Sequence, residues 1–225
     1  MKDFHIEEIE PGIVWCRFEN SYEMCMAFIR VQEFYECKEF MGKFFTLEEY
    51  MDWYAYNEHE AGCDGMELGF DYLTRIYGCN VPSEDFHKFI KVFGLDGLRP
   101  REMALYSKIH ELLGDRYKGE QWYLIGSYGP RGKEPDPTVI PHEVAHARYG
   151  LNPGYRAVVD RMLATYWCQP LADAVLERGY SEEVSRDECH AFALTGWPDW
   201  FPWYKRGPSA YRLRRKLKEA TKQWQ

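Results

Sequence analysis

Two histidines and a glutamate in the second half of the chain have types and spacing that could do chemistry together. His142 and His146 are four residues apart, and Glu143 follows His142 directly. Residues four apart lie on one face of a helix, so both imidazoles can reach one tetrahedral Zn²⁺ at about 2.0–2.1 Å. Glu143 lies about 100° further round the helix, where it can act as general base toward a water activated by the metal. This spacing predicts zinc-dependent hydrolysis of a carbonyl compound such as an amide.

The alternative is an amphipathic helix that carries two histidines without binding metal. The H-E-x-x-H pattern arises by chance in a chain of this length on the order of one time in a hundred. The flanking residues also suit a helix that begins just before the motif. Residues 134–138 are typical of a loop, Thr138 can cap a helix, and Pro141 is tolerated in a first turn.

The motif resembles that of the zincins, the H-E-x-x-H metallopeptidases, which differ in their third metal ligand. The metzincin pattern H-E-x-x-H-x-x-G-x-x-H fails here, because Gly150 comes one residue late and Asn152 stands where the histidine belongs. The DNA-linked SprT-like proteases need a later histidine, and the next one, His190, is far downstream. The gluzincin type instead takes a glutamate from a second helix. The chain resembles this type over residues 138–195.

Glu188 is the candidate for that third ligand. It interrupts the apolar stripe of a helix predicted over residues 185–194. A carboxylate buried there without a partner costs on the order of several kcal/mol, so a metal ion is the partner that we expect. The pattern E-x-x-x-F-A that begins at Glu188 is similar to the ligand helix of the repressor-cleaving metallopeptidases of mobile genetic elements. The other members of the stripe are Val184, Ala191, Phe192 and Thr195.

A competing ligand pair lies on an adjacent face of the same predicted helix. Asp187 and His190 are three residues apart and could bind a metal in place of Glu188. If Glu188 is the ligand, Asp187 or Asp160 is expected to orient a ligand imidazole through a hydrogen bond to the ring nitrogen that does not bind the metal.

The predicted catalytic residues are the base Glu143 and a group that stabilises the oxyanion. His190 and Tyr155 are the candidates for the second role, with Arg186 as a further possibility, and the sequence does not select among them.

Composition predicts a globular, reduced, cytoplasmic protein. At 225 residues the chain can form one compact domain or two small lobes. It has no apolar run of about 18 residues, and residues 1–5 do not begin a signal peptide. Seven cysteines without a C-x-x-C pair argue against a disulfide framework.

The net charge of −8 is unevenly distributed along the chain. Residues 205–225 hold eight Lys or Arg and one Glu, a charge of +7, which leaves −15 for the preceding part. The acidic part disfavours nonspecific nucleic-acid binding, whereas the basic helix predicted near the C-terminus could contact phosphate or dock on the rest of the protein. A peptide or protein substrate is the main expected partner, with no membrane partner and the oligomeric state open.

The predicted fold class is α+β, mainly helical with a small sheet. We divide it into a helical N-terminal lobe at 1–120, a zincin-like core at 121–204, and a basic C-terminal helix at 205–225, with zinc in a cleft between the lobes. Residues 121–128 form the clearest strand. By resemblance to zincins this would be the edge strand that pairs with substrate, and an ordinary sheet strand is the alternative.

Two irregular stretches have weaker interpretations. Residues 129–137 are predicted to form a mobile loop at the mouth of the cleft. His59 and Cys63 have the spacing of a metal site, but the surrounding glycines favour an acidic surface loop.

Together these features predict a zinc metallopeptidase with Zn²⁺ held by His142, His146 and Glu188. The alternative is a catalytically inactive protein that keeps the zincin scaffold for binding or structure, with protein or nucleic acid as partner. The presence of Glu143 argues against that alternative, because a structural site has no use for a base that does not coordinate the metal.

Overall fold

The computed structural model divides the chain into two compact units, Met1–Pro135 and Asp136–Gln225. The predicted α+β class is confirmed, because helices predominate and the strands form one small mixed sheet. The division differs from the one that the sequence suggested, since strand 123–128 lies in the first unit and the C-terminal helix in the second. The structure describes residues 4–57, 70, 72–129, 137–177, 180, 182–198 and 200–224.

The first unit combines four strands with six helices among its described residues. The strands are β1 (His5–Glu10), β2 (Ile13–Phe18), β3 (Gly78–Pro82) and β4 (Tyr123–Tyr128). The helices are α1 (Ser21–Glu36), α2 (Leu47–Asn57), α3 (Tyr72–Arg75), α4 (Ser83–Phe93), α5 (Pro100–Leu113) and α6 (Arg116–Gly119). The pair His59 and Cys63, and residues 130–136 of the predicted loop, lie outside the described residues.

The sheet has the strand order β1-β2-β4-β3. β4 runs parallel to β2, with Ile13 opposite Tyr123, and antiparallel to β3 on its other side. Both edges of β4 are therefore hydrogen-bonded within the sheet. The prediction that residues 121–128 form a substrate-binding edge strand is wrong, because a strand addition needs unpaired backbone groups along one edge.

Alternation along β2 directs one row of side chains toward the helices. Val14, Cys16 and Phe18 are buried in the core of this unit, as the period of two in a strand requires. On the neighbouring strand Gly126 leaves space for the Phe28 ring of α1, since a Cβ atom at this glycine would lie 2.8 Å from that ring. The absence of a side chain at Gly126 thus allows α1 to pack closely against β4.

Every regular element among the described residues of the second unit is a helix. Its helices are α7 (Val139–Leu151), α8 (Pro153–Thr165), α9 (Gln169–Leu176), α10 (Glu182–Thr195) and α11 (Pro208–Thr221). Leu163, Leu171, Leu213 and Leu217 are fully buried in one apolar core. The apolar face of α11 is therefore covered by its own unit. Within the described ranges, every helix is too short or too polar to cross a lipid bilayer.

The start of α8 follows from local sequence. The Asn152 side chain accepts a hydrogen bond from the backbone N–H of Tyr155, and Pro153 occupies the first turn. Asparagine is a preferred N-cap, and proline at the first helical position loses no intrahelical hydrogen bond. This sharp start separates α8 from α7 by one residue, so the chain turns immediately after the helix that carries the two histidines.

Candidate metal centre

Helices α7 and α10 bring three predicted metal ligands together. His142 and His146 lie one turn apart on α7, and their Nε2 atoms are 3.1 Å apart. The Glu188 carboxylate of α10 approaches both, with Oε2 3.6 Å from His142 Nε2 and Oε1 3.6 Å from His146 Nε2. Within the described part of the chain these three residues form the one group whose ligand atoms converge enough to hold a metal ion.

The spacing of these atoms suits a tetrahedral cation. Two ligands that each lie about 2.0–2.1 Å from a tetrahedral ion are separated by about 3.4 Å. The two Nε2 atoms, 3.1 Å apart, lie close to that value. Each is 3.6 Å from a different oxygen of the Glu188 carboxylate, and one ligand atom from each of the three residues can be chosen so that all lie within 4.8 Å of one another. One tetrahedral position remains for a fourth ligand that the protein does not supply from this group.

The His142 ring is oriented by α10. Its Nδ1 lies 3.3 Å from Thr195 Oγ1, and this hydroxyl donates its own proton to the Ala191 carbonyl at 2.7 Å. The hydroxyl must then accept from Nδ1–H, which places the lone pair of His142 on Nε2. The Phe192 ring packs against the same imidazole, with centroids 4.5 Å apart.

The His146 ring is oriented by Asp187. Its Nδ1–H donates to Asp187 Oδ2 at 2.9 Å, so Nε2 is the ring atom left to bind a metal ion. Burial alone would lower the pKa of His146, but the carboxylates of Asp187 and Glu188 outweigh burial and raise that pKa well above its ordinary value. Negative charge around this imidazole therefore favours a cation.

The three residues direct their remaining ligand atoms toward one another. The two Nε2 atoms face each other at 3.1 Å, and the buried Glu188 Oε2 has no hydrogen-bond partner. A buried carboxylate oxygen without a donor is costly, and a bound cation removes that cost. The donor set of two imidazoles and one carboxylate thus fits a metal ion, and nitrogen and oxygen donors in tetrahedral arrangement suit Zn²⁺.

A chain of hydrogen bonds continues behind His146. Asp187 Oδ1 accepts from His190 Nδ1 at 3.0 Å, and His190 Nε2 lies 2.9 Å from the Tyr155 hydroxyl. Burial would raise the pKa of Asp187, but His146 and His190 hold it well below its usual range. Burial lowers the pKa of His190 despite the nearby carboxylate. The carboxylate is therefore ionised and bridges two imidazoles.

The predicted oxyanion-stabilising residues occupy this buried chain. His190 is fully buried and Tyr155 is 2% exposed, and both lie behind Asp187 and outside the group of three ligand atoms. The geometry of His190 and Tyr155 favours a role in positioning Asp187. It does not favour the predicted role, in which they contact the substrate. The alternative in which Asp187 and His190 bind the metal as a pair is also not favoured, because the polar side-chain atoms of both residues are already engaged in these hydrogen bonds.

The remaining candidates lie at other positions in the second unit. Asp160 accepts a hydrogen bond from the Tyr149 hydroxyl at 2.8 Å, and Tyr149 stacks on His190. Of the two aspartates proposed to orient an imidazole, Asp187 is therefore the one in contact with a ligand. Arg186 lies 3.9 Å from Asp160 and over the Trp167 ring, and neither of these residues is a ligand.

Glu143 is buried beside the ligand pair. It is 6% exposed, and its charge contributes to the raised pKa of His146. His142 is the most exposed of the three ligands, with 17% of its side chain accessible, compared with 3% for His146 and 6% for Glu188. Solvent therefore reaches the group mainly from the side of His142.

Two residues around the site were not assigned a role from the sequence. Thr195 was predicted only as a member of the apolar stripe, and Tyr149 was not singled out. The spacing of Thr195, seven residues after Glu188, gave a usable signal, because two helical turns place both on one face. Tyr149 gave no such signal, since its contact with His190 depends on the packing of α7 against α10.

No protein-family model, curated protein or solved structure matches this chain. The interpretation of the site therefore depends on its own geometry.

Proposed function

We propose that this chain is a zinc-dependent metallopeptidase that hydrolyses amide bonds in peptides or proteins. The observation that carries the proposal is the convergence of the ligand atoms of His142, His146 and Glu188, with Glu143 next in sequence to a ligand. Three protein ligands with an open position are typical of catalytic zinc sites, whereas structural sites usually have four protein ligands. The peptide substrate class comes from the resemblance of the motif to zincins.

Each residue of the site has a defined task in this proposal. A bound Zn²⁺ would polarise the substrate carbonyl and make a water molecule more acidic. Glu143 would accept a proton from this water as its oxygen adds to the carbonyl carbon, and would pass that proton to the leaving amine as the C–N bond breaks. Thr195 and Asp187 hold the two imidazoles with their Nε2 lone pairs directed toward the ion.

A reducing, cytoplasmic location is part of the proposal. All cysteines in the described ranges are free thiols, which fits a compartment that does not form disulfides. They are Cys16, Cys25, Cys37, Cys79, Cys168 and Cys189.

The metal site is tested by elemental analysis of untagged protein. We expect about one zinc per chain in the wild type. Zinc should be absent from Glu188→Ala, because this variant removes a direct ligand. It should be retained in Asp160→Ala, which removes a carboxylate of the same unit that does not touch the ligands. Equal zinc content in the two variants would refute the assignment of Glu188.

Catalysis is tested with Glu143→Gln on a mixture of unstructured peptides, with cleavage followed by mass spectrometry. The variant should keep its zinc and lose activity by about 10²–10⁴-fold, the usual contribution of a general base. An unchanged rate would refute the mechanism.

The inactive scaffold remains the second candidate, and chelation separates the two. A structural metal would carry much of the stability of the second unit, so its removal would unfold that unit. Retention of helical structure after chelation, together with loss of cleavage, would favour the peptidase.

A further inference from the structure

The outer face of α11 is a row of cations. Arg212, Arg215 and Lys218 are exposed on this helix, and Lys222 is exposed directly after it. Intervals of three, three and four residues place them along one face over about 15 Å. We refer to these four residues as the basic stripe. The opposite face of the helix is buried, with Leu213 and Leu217 inaccessible to solvent.

The charge of the basic stripe is largely uncompensated. The acidic residue of this segment, Glu219, pairs with Lys216 at 2.7 Å and lies 3.9 Å from Arg215. Among the residues that the structure describes, Arg212, Lys218 and Lys222 form no ion pair. The rest of the chain is acidic, so positive potential is concentrated on this helix.

Exposed aromatic rings lie next to the basic stripe in sequence. Trp203 is 78% exposed and Tyr204 is 70% exposed, in the short 3-10 helix that precedes α11. Their rings are nearly perpendicular, with centroids 6.0 Å apart. Tyr211, at the start of α11, is 56% exposed. The neighbouring rings of Trp203 and Tyr204 form an exposed apolar patch, and such patches indicate a contact with a partner.

We propose that the basic stripe and the rings of Trp203 and Tyr204 form a binding surface for single-stranded nucleic acid. Cations along one face neutralise successive phosphates, and exposed rings offer a stacking surface to unpaired bases. Both components are present within twenty residues of sequence in one unit. This function is additional to the metal site, since it uses none of the residues around His142, His146 and Glu188.

Two other anionic partners fit the surface less well. A helix that lies in a membrane interface needs a free apolar face, whereas Leu213 and Leu217 of α11 are already buried in the core of the unit. The phosphates of duplex DNA can pair with the cations, but its bases are stacked on each other and are not available to stack on the aromatic rings. The combination of cations and exposed rings therefore favours single strands.

The test is fluorescence anisotropy with the full chain and a labelled oligothymidylate of about 15 nucleotides. We expect saturable binding at low salt. The logarithm of the association constant should fall against the logarithm of salt concentration with a slope of about −3, from four phosphate contacts at about 0.7 each. The same sequence in duplex form should bind at least about tenfold more weakly, because stacking is lost.

Matched variants separate this surface from general charge effects. The triple change Arg212→Gln, Arg215→Gln, Lys218→Gln should reduce the slope to about −1, since one phosphate contact remains. The control triple changes exposed cations elsewhere and gives the same net charge, and it should keep the wild-type slope. The control substitutions are Lys91→Gln, Lys118→Gln and Arg161→Gln.

The contribution of the rings is tested separately. Trp203→Ala should weaken oligothymidylate binding by about tenfold. Tyr56→Ala removes an exposed ring of the first unit, 74% exposed, and should have no effect. Circular dichroism should show all variants folded, because each substituted side chain is at the surface.

Several results would overturn the proposal. These are no binding of the oligonucleotide at low salt, equal losses in the two triple variants, and tighter binding of duplex than of single strand. Binding to phosphatidylserine vesicles without binding to the oligonucleotide would instead assign the surface to a membrane.

Discussion

Replacing Asp187 tests whether its hydrogen bond to His146 contributes to the affinity of the site for zinc. The carboxylate accepts one hydrogen bond on each oxygen, from His146 Nδ1 at 2.9 Å and from His190 Nδ1 at 3.0 Å. In Asp187→Asn the single amide oxygen can serve only one of these donors. His190 can adapt by changing tautomer, because Tyr155 can accept a hydrogen bond as well as donate one. His146 then keeps a bond to the amide but loses its charged partner.

The loss of zinc affinity in Asp187→Asn follows from replacing the charged hydrogen-bond partner of His146 with a neutral one. A hydrogen bond to a charged group contributes about 1.5–3 kcal/mol and a neutral one about 0.5–1.5 kcal/mol. The difference of about 1–1.5 kcal/mol corresponds to roughly tenfold weaker binding. Asp187→Ala leaves the Nδ1–H of His146 without a partner and its ring unoriented, so we expect about a hundredfold loss, the upper end for such residues. Both Asp187→Asn and Asp187→Ala should still bind zinc when the concentration of Zn²⁺ is high.

The measurement is competition for Zn²⁺ between the protein and a chromophoric chelator. The matched control is Asp160→Asn, which removes an equal charge from a carboxylate that binds Tyr149 instead of a ligand imidazole. This control should keep wild-type affinity within about twofold. Wild-type affinity in Asp187→Asn, or an equal loss in the control, would show that the hydrogen bond to His146 does not determine zinc affinity.

Two further predictions concern packing and thiol reactivity. Gly126→Ala places a methyl group 2.8 Å from the Phe28 ring and should lower the free energy of unfolding by about 1–3 kcal/mol, measured by urea denaturation. Burial raises the pKa of Cys189 to about 12, so at about pH 8 roughly one molecule in ten thousand is a thiolate. Native Cys189→Ser should therefore consume as much thiol reagent as the native wild type, and one equivalent less after denaturation.

Each of these predictions has its own control. Gly119→Ala adds a methyl group where no atom lies within 4 Å, so its stability should stay close to the wild type. Equal stability of Gly126→Ala and Gly119→Ala would contradict the close packing of α1 on β4. A deficit of one reagent equivalent in native Cys189→Ser would show that this thiol is accessible.

The ligands of the candidate site could be predicted because their signals are local. His142 and His146 share a helix face by their spacing alone, and Glu188 was singled out as a charge on an apolar stripe. Asp187 was named, with Asp160, as one of two groups that could orient a ligand imidazole. The roles of His190 and Tyr155 could not be predicted, because Tyr155 lies 35 residues away in sequence and meets His190 only through the packing of α8 against α10.

The arrangement of the sheet could be predicted from the sequence only in part. The β-branched and aromatic residues of β2 are typical of a strand, but β1 has the sequence HIEEIE, whose glutamates give no strand signal. β1 is an edge strand, where one side of the pairing faces solvent and polar residues are tolerated. The interior place of β4 was also not predictable, because its two partners are separated from it by long stretches of sequence.

The parallel pairing of β2 with β4 affects how the protein is made. About 105 residues separate the end of β2 from the start of β4. At a synthesis rate of about 5–20 residues per second, roughly 5–20 s pass before β4 has emerged from the ribosome. During this time one edge of β2 has no partner strand, and such edges readily pair with other chains. We expect the nascent first unit to be the aggregation-prone part of the protein and to depend most on chaperones during translation.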